Sequence, residues 1–245
     1  MKELTDLWWD RIISGFTHAA EPRVTLLELA LILVAAAALA VPRITWRYFG
    51  LFSTVVHELG HAFAAMMTGQ IVTGITLKMD HSGTTKTYSR GLLRSLWSGF
   101  WGYPVPAVVG AALVSAGFNG WGPAAMSVGA VVLVAAVLFI RNLTGLLILG
   151  GSIAVSAVLV LAVPPAFTGH VVIALGVALL VGSVRDMGNL LHVHFKRRDQ
   201  LETSDAFILY RATGIPSPLW LLLFCGVIGF CWMISYGALM GAALH

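Results

Sequence analysis

The chain has 245 residues, 58% of them hydrophobic and 11% charged, with a mean hydropathy of +0.86. Soluble domains carry about a quarter charged residues, so an ordinary water-soluble globule is excluded and an integral membrane protein is indicated. The formal net charge of +4 is too small for a nucleic-acid surface and reads as a topology signal, so no nucleic-acid partner is expected.

Residues 1–23 mix acidic and basic side chains with apolar positions at Leu4, Leu7, Trp8, Ile12 and Ile13, the pattern of an amphipathic interfacial helix. Ala38-Leu39-Ala40 resembles a signal-peptide cleavage site, but the long acidic lead-in argues against a cleaved leader. Apolar runs near the length of a membrane crossing follow at 24–41, 48–67, 100–117, 123–140, 143–163, 167–184 and 217–241. They predict an all-α polytopic protein of about seven transmembrane helices, forming a single membrane-embedded domain over 1–245. With the N-terminus in the cytoplasm, 13 Lys and Arg fall inside and only Arg43 and Arg47 outside, which favours that orientation in a cell membrane and puts His245 outside.

The second run contains His57-Glu58-Leu59-Gly60-His61. On a helix the two histidines, four apart, share a face and can grip one zinc ion. Glu58 can then take a proton from a zinc-bound water. With 8 His and 5 Glu in 245 residues, chance gives this pattern in fewer than about one such chain in a hundred. An idle carboxylate in a span is also costly, by about 2.5 kcal/mol or more.

After this run, the loop over 68–99 alternates Ile71, Thr73, Ile75, Leu77 and Met79 with Val72, Gly74, Thr76, Lys78 and Asp80, which argues for a strand. Asp80-His81-Ser82-Gly83 reads as a turn and Thr84 to Tyr88 as a returning strand. The hairpin either offers an edge to an extended substrate or merely caps the bundle. A second loop, 185–216, is also expected in the cytoplasm. Its Lys196-Arg197-Arg198 cluster is expected to rest on anionic headgroups of the lipid bilayer. Pro216 and Pro218 break the chain, leaving Asp205 on a short helix or turn.

A catalytic zinc site needs a third protein ligand. Composition leaves Asp80, Asp186, Asp199, Asp205, Glu202, His81, His170, His192 and His194 as candidates. Asp186 could reach into the bundle, or could simply pair with Arg185. His192 and His194 read as surface residues. Cys225 and Cys231, six apart in one apolar run, imply no disulfide framework. Gly237 and Gly241 form a small-residue pair that reads either as a homo-oligomer contact or as packing within the chain.

The chain resembles the site-2 proteases, intramembrane zinc metallopeptidases, and most of all their small bacterial branch without a PDZ domain. The resemblance rests on His57-Glu58-Leu59-Gly60-His61-Ala62, on Thr68-Gly69 and the strand-like stretch after it, and on Gly102-Tyr103-Pro104. It continues in Ser204-Asp205-Ala206, Thr213-Gly214-Ile215-Pro216 and Trp220. It implies that His57 and His61 are zinc ligands, that Glu58 is the catalytic base, and that Asp205 is the third ligand. Better-known members place a glycine after that aspartate, where this chain has Ala206, so Asp186 stays as the alternative. The implied substrate is a transmembrane or membrane-associated polypeptide. The rival expectations are a zinc-binding transporter or sensor and an inactive scaffold. Span interiors nearly free of charge weigh against transport.

Overall fold

The computed structural model describes residues 2–89, 91–196 and 198–243. Arg90, Arg197 and His245, used above for topology and headgroup contact, lie outside the described residues. The side chains of Leu4, Arg198 and Asp199 do too. The protein is 77% helical, with one two-stranded sheet. The elements are α1 (Lys2–Gly15), α2 (Leu26–Ala40), α3 (Arg43–Met67), β1 (Ile71–Leu77), β2 (Gly83–Tyr88), α4 (Leu92–Phe100), α5 (Pro104–Phe118), α6 (Gly122–Ala136), α7 (Leu143–Ala162), α8 (Thr168–Lys196), α9 (Asp205–Thr213) and α10 (Ser217–Ala243).

Every predicted apolar run is helical over most of its length, though the run at 123–140 leaves the helix after Ala136, and not every helix is a crossing. Among the described residues, α7, α8 with its preceding 3-10 turn, and α10 are long and apolar enough to span alone. Counting the bent pairs α2–α3 and α4–α5 as one span each raises the number to five, short of the expected seven. The physical reasons are bends and length. The axis turns by 86° between α2 and α3, at Val41–Pro42, and by 56° between α4 and α5. With 15 residues, α6 reaches about 22 Å at 1.5 Å per residue, less than the roughly 30 Å of hydrocarbon.

Small residues hold the centre together. α5 and α8 cross through two reciprocal glycine pairs, Gly110 with Gly176 and Gly117 with Gly169. A Cβ on any of the four would meet the opposite carbonyl oxygen at 2.6–3.0 Å. Such contacts suit lipid-embedded helices, whose association comes from close packing rather than from water exclusion. Leu179, Leu180, Ile173 and Phe224 fill the space around this crossing, and Trp232 Nε1 donates to Leu180 O at 3.3 Å, tying α10 to α8. By contrast, added Cβ atoms on Gly237 and Gly241 would meet nothing within 4 Å among the described residues, so no close packing between those residues uses that pair. The N-terminal segment is helical as its amphipathic pattern predicts, with Ile12 buried against Ala130 and Val160.

The hairpin follows α3 directly. β1 and β2 pair antiparallel from Ile71↔Tyr88 to Leu77↔Gly83, with a bulge between Val72 and Gly74. His81 in the turn takes a left-handed φ of 66°. There Ser82 N and Oγ donate to Asp80 Oδ1 at 3.0 and 2.6 Å, holding the Asp80 carboxyl below its usual range. The far edge of β1 is engaged by the α6–α7 connection. Ile75 N donates to Phe139 O at 2.8 Å, Arg141 N donates to Ile75 O at 2.9 Å, and Asn142 brackets Leu77 with two side-chain bonds. With β1 engaged on both sides, the sheet edge without a strand partner among the described residues is that of β2.

Candidate metal centre

The i, i+4 spacing on α3 puts His57 and His61 on one face, with ring centroids 4.9 Å apart and Nε2 atoms 3.2 Å apart. Gly60, between them in sequence, lets α3 press on the α4–α5 junction; a Cβ there would meet Trp101 O and Val105 Cβ at 2.8 Å. That approach brings α4 to His61, whose Nδ1 lies 2.7 Å from Ser98 O. The carbonyl can only accept, so Nδ1 carries the proton and Nε2 is left with its lone pair inward.

Asp205 arrives from the other end of the sequence. Ser204 N-caps α9, its Oγ accepting from Phe207 N at 3.3 Å, which fixes Asp205 at the first helical position. Ala206 and Leu209 are buried on the same helix, seating it against α4 and α10. Asp205 Oδ2 then lies 3.4 Å from His57 Nε2 and 3.2 Å from His61 Nε2. His57, His61 and Asp205 form a group able to hold a metal ion. Edges of 3.2, 3.2 and 3.4 Å match the roughly 3.3 Å between tetrahedral zinc ligands bound at about 2.0–2.1 Å. Among the described residues, Asp205 Oδ2 is a buried oxygen with no hydrogen-bond donor beyond the two imidazoles that face it. Two imidazole nitrogens and a carboxylate oxygen converging this closely need a proton or a metal cation among them to offset their lone-pair repulsion. Gly102 lines the space: a Cβ there would press on His61 Nε2 and come within 2.7 Å of His57 Nε2. The residues fit a zinc ion.

Glu58, only 4% exposed, lies under the hairpin. Thr85 Oγ1 donates to Glu58 Oε2 at 2.6 Å and lies 3.0 Å from its carbonyl oxygen. Gly83 passes so close that a Cβ there would strike the Glu58 carboxylate. Tyr103 stands edge-on to His57 with centroids 4.8 Å apart and stacks on Phe224 of α10 at 5.7 Å.

The other candidate ligands are elsewhere or otherwise held. Asp80 is bonded to Ser82, and His81 Nε2 lies 3.2 Å from Arg47 O. His170 faces Glu28 at 3.7 Å, and His194 Nδ1 lies 3.1 Å from Leu190 O. His192 and Glu202 are exposed. Asp186 is outside the group of three; it accepts from Ser53 Oγ at 3.1 Å. Thr85, Ser98 and Ser53 carried no signal that would have singled them out in the sequence, whereas Gly102 entered only as part of the Gly102-Tyr103-Pro104 resemblance, with no hint of its place beside the histidines.

A family model described as Peptidase M50B-like matches residues 29–235. The chain belongs to that family. The match covers α3, the hairpin, Gly102 and Asp205, so the whole cluster lies inside it. No curated protein and no solved structure matches the chain. The family is one of proteases of the site-2 type, and the apolar helices of this chain are those of a multi-pass membrane protein.

Proposed function

We propose that the protein is an intramembrane zinc metalloprotease that cleaves peptide bonds in transmembrane or membrane-associated polypeptides. In this reading His57, His61 and Asp205 hold the zinc, and Glu58 is the general base. The observation that carries it is the triangle of ligand atoms at 3.2–3.4 Å with a buried glutamate adjoining its first histidine. Zinc, when bound, supplies a Lewis acid and lowers the pKa of its water toward neutrality.

The remaining chemistry belongs to the chain. Ser98 O fixes the His61 tautomer, and Thr85 Oγ1 holds one oxygen of Glu58. The Glu58 carboxylate accepts a proton from the attacking water and returns it to the leaving amine nitrogen. Peptide bonds in a transmembrane helix are internally hydrogen-bonded, so the substrate must unwind before attack. The outer edge of β2 supports such a role: its backbone groups, unpaired among the described residues, could hold an unwound segment extended, and Thr85 on the same strand touches Glu58. The polar hairpin turn and the approach to Asp205 form the natural route for water. The charge count supports a cytoplasmic N-terminus, and one membrane-embedded domain is the organisation we favour.

Replacing Glu58 by Gln tests the assignment. The variant is expected to keep its zinc and lose at least about 100-fold in cleavage of a membrane substrate, as befits a proton-transferring group. A Glu58→Gln protein that performs as wild type would identify a zinc-binding scaffold, sensor or transporter instead.

A further inference from the structure

A histidine that presents Nε2 to a metal carries its proton on Nδ1, and such histidines anchor that N–H on a carbonyl, a carboxylate or a water. His61 has Ser98 O for this purpose. For His57 Nδ1, the described residues offer no acceptor at hydrogen-bond distance, and the side chain is 21% exposed. The carboxylate reached from the preceding turn of α3 is Asp186. Ser53, one turn earlier on the same face of α3, donates to Asp186 Oδ2 at 3.1 Å. Helical side chains lean toward the N-terminus, so the His57 ring tilts over the turn that carries Ser53.

The obvious partner for Asp186, its neighbour Arg185, is engaged elsewhere. Arg185 Nη1 donates to Ala40 O and Val41 O, both at 2.9 Å, and its guanidinium lies 4.5 Å over the Trp46 ring. Asp186 therefore keeps one carboxylate oxygen without a protein donor among the described residues. We propose that Asp186 is a positioning residue for the metal centre: through one water, its free Oδ1 accepts the Nδ1 proton of His57 and fixes the tautomer that turns Nε2 toward the metal. The inference rests on the zinc-site reading above and assigns this carboxylate a place outside the ligand set.

The test is zinc affinity of the purified full-length chain in detergent, measured by competition with a chromophoric chelator. Wild type must bind one zinc and His57→Ala must lose it; a wild type that binds none sinks the zinc-site reading whatever Asp186 does. With a binding wild type, Asp186→Ala is expected to weaken zinc 10- to 100-fold. Asp186→Asn, which keeps an acceptor oxygen, should recover most of the affinity, and Ser53→Ala should fall between. The visible absorption of the cobalt-substituted protein should stay that of the wild-type coordination in all three. Wild-type affinity in Asp186→Ala overturns the proposal, even if thermal stability falls. Complete loss of zinc with an altered cobalt spectrum makes Asp186 a ligand and also overturns it. Should Asp186→Ala fail to fold, Ser53→Ala decides, and unchanged affinity there refutes the role.

Discussion

Gly102 sets the dimensions of the centre more than any charged residue does. A Cβ there would press on both His61 Nε2 and His57 Nε2, so in the zinc reading a methyl group competes with the ion for that space. Gly102→Ala is expected to lower bound zinc at least tenfold, by metal analysis of purified protein, with helical circular dichroism unchanged. Full zinc content would show that the metal sits elsewhere. His57, Glu58 and His61 were readable in the sequence because helical spacing alone aligns them. Asp205 was not readable from composition, which left nine candidates; the resemblance selected it, and α9 brings it to the histidines. The partners Ser98, Thr85 and Ser53 were illegible for a physical reason. Ser98 contributes a backbone carbonyl, which any residue has, and the others matter only through tertiary proximity.

The hairpin works as an element because both of its flanks are fixed. On one side Thr85 and Gly83 lie on Glu58; on the other, Asn142 accepts from Leu77 N at 3.1 Å and donates to Leu77 O at 2.7 Å. Asn142→Leu removes both bonds and leaves a strand amide and carbonyl unpaired, at about 1–3 kcal/mol for a buried polar group. Amide exchange in β1 and β2 should then accelerate by roughly tenfold or more, while exchange in α5 and α8 stays as in wild type. Equal protection in the hairpin of the two proteins would show that the α6–α7 connection does not brace it. The hairpin itself was legible, since alternation of Ile71, Ile75 and Leu77 with polar residues is a strand signature. Its bracing was not, because residues 139–142 show no strand pattern and pair through a single parallel bridge at Ile140.

Across the whole molecule, the candidate ligands join α3 to α9, elements separated by most of the chain. An ion held only by the folded arrangement stabilises it by mass action, about 2.7 kcal/mol at a free concentration 100 times Kd. Stripping zinc with a chelator should therefore lower the unfolding temperature of wild type in detergent, and zinc should restore it. His57→Ala should respond to neither, and an equal response from that variant would place the stabilising metal away from this centre. Class and helix positions were legible at this scale because apolarity reports burial away from water. The number of crossings was not, because apolarity does not say whether a helix traverses the bilayer or turns aside, as α2 does at its 86° bend with α3.

One consequence of the unpaired margin of β2 reaches past the reaction. A bare strand margin is an invitation to neighbouring copies of the same chain, and proteins commonly blunt it with short length and lysine. β2 has six residues, Gly-Thr-Thr-Lys-Thr-Tyr, with Lys86 facing out. Two such margins brought together would set like charges face to face and bury little grease, whereas an uncharged, extended visitor meets no such penalty. The strand is thus poor company for its own kind, which leaves its margin to the extended visitor of the proposed reading.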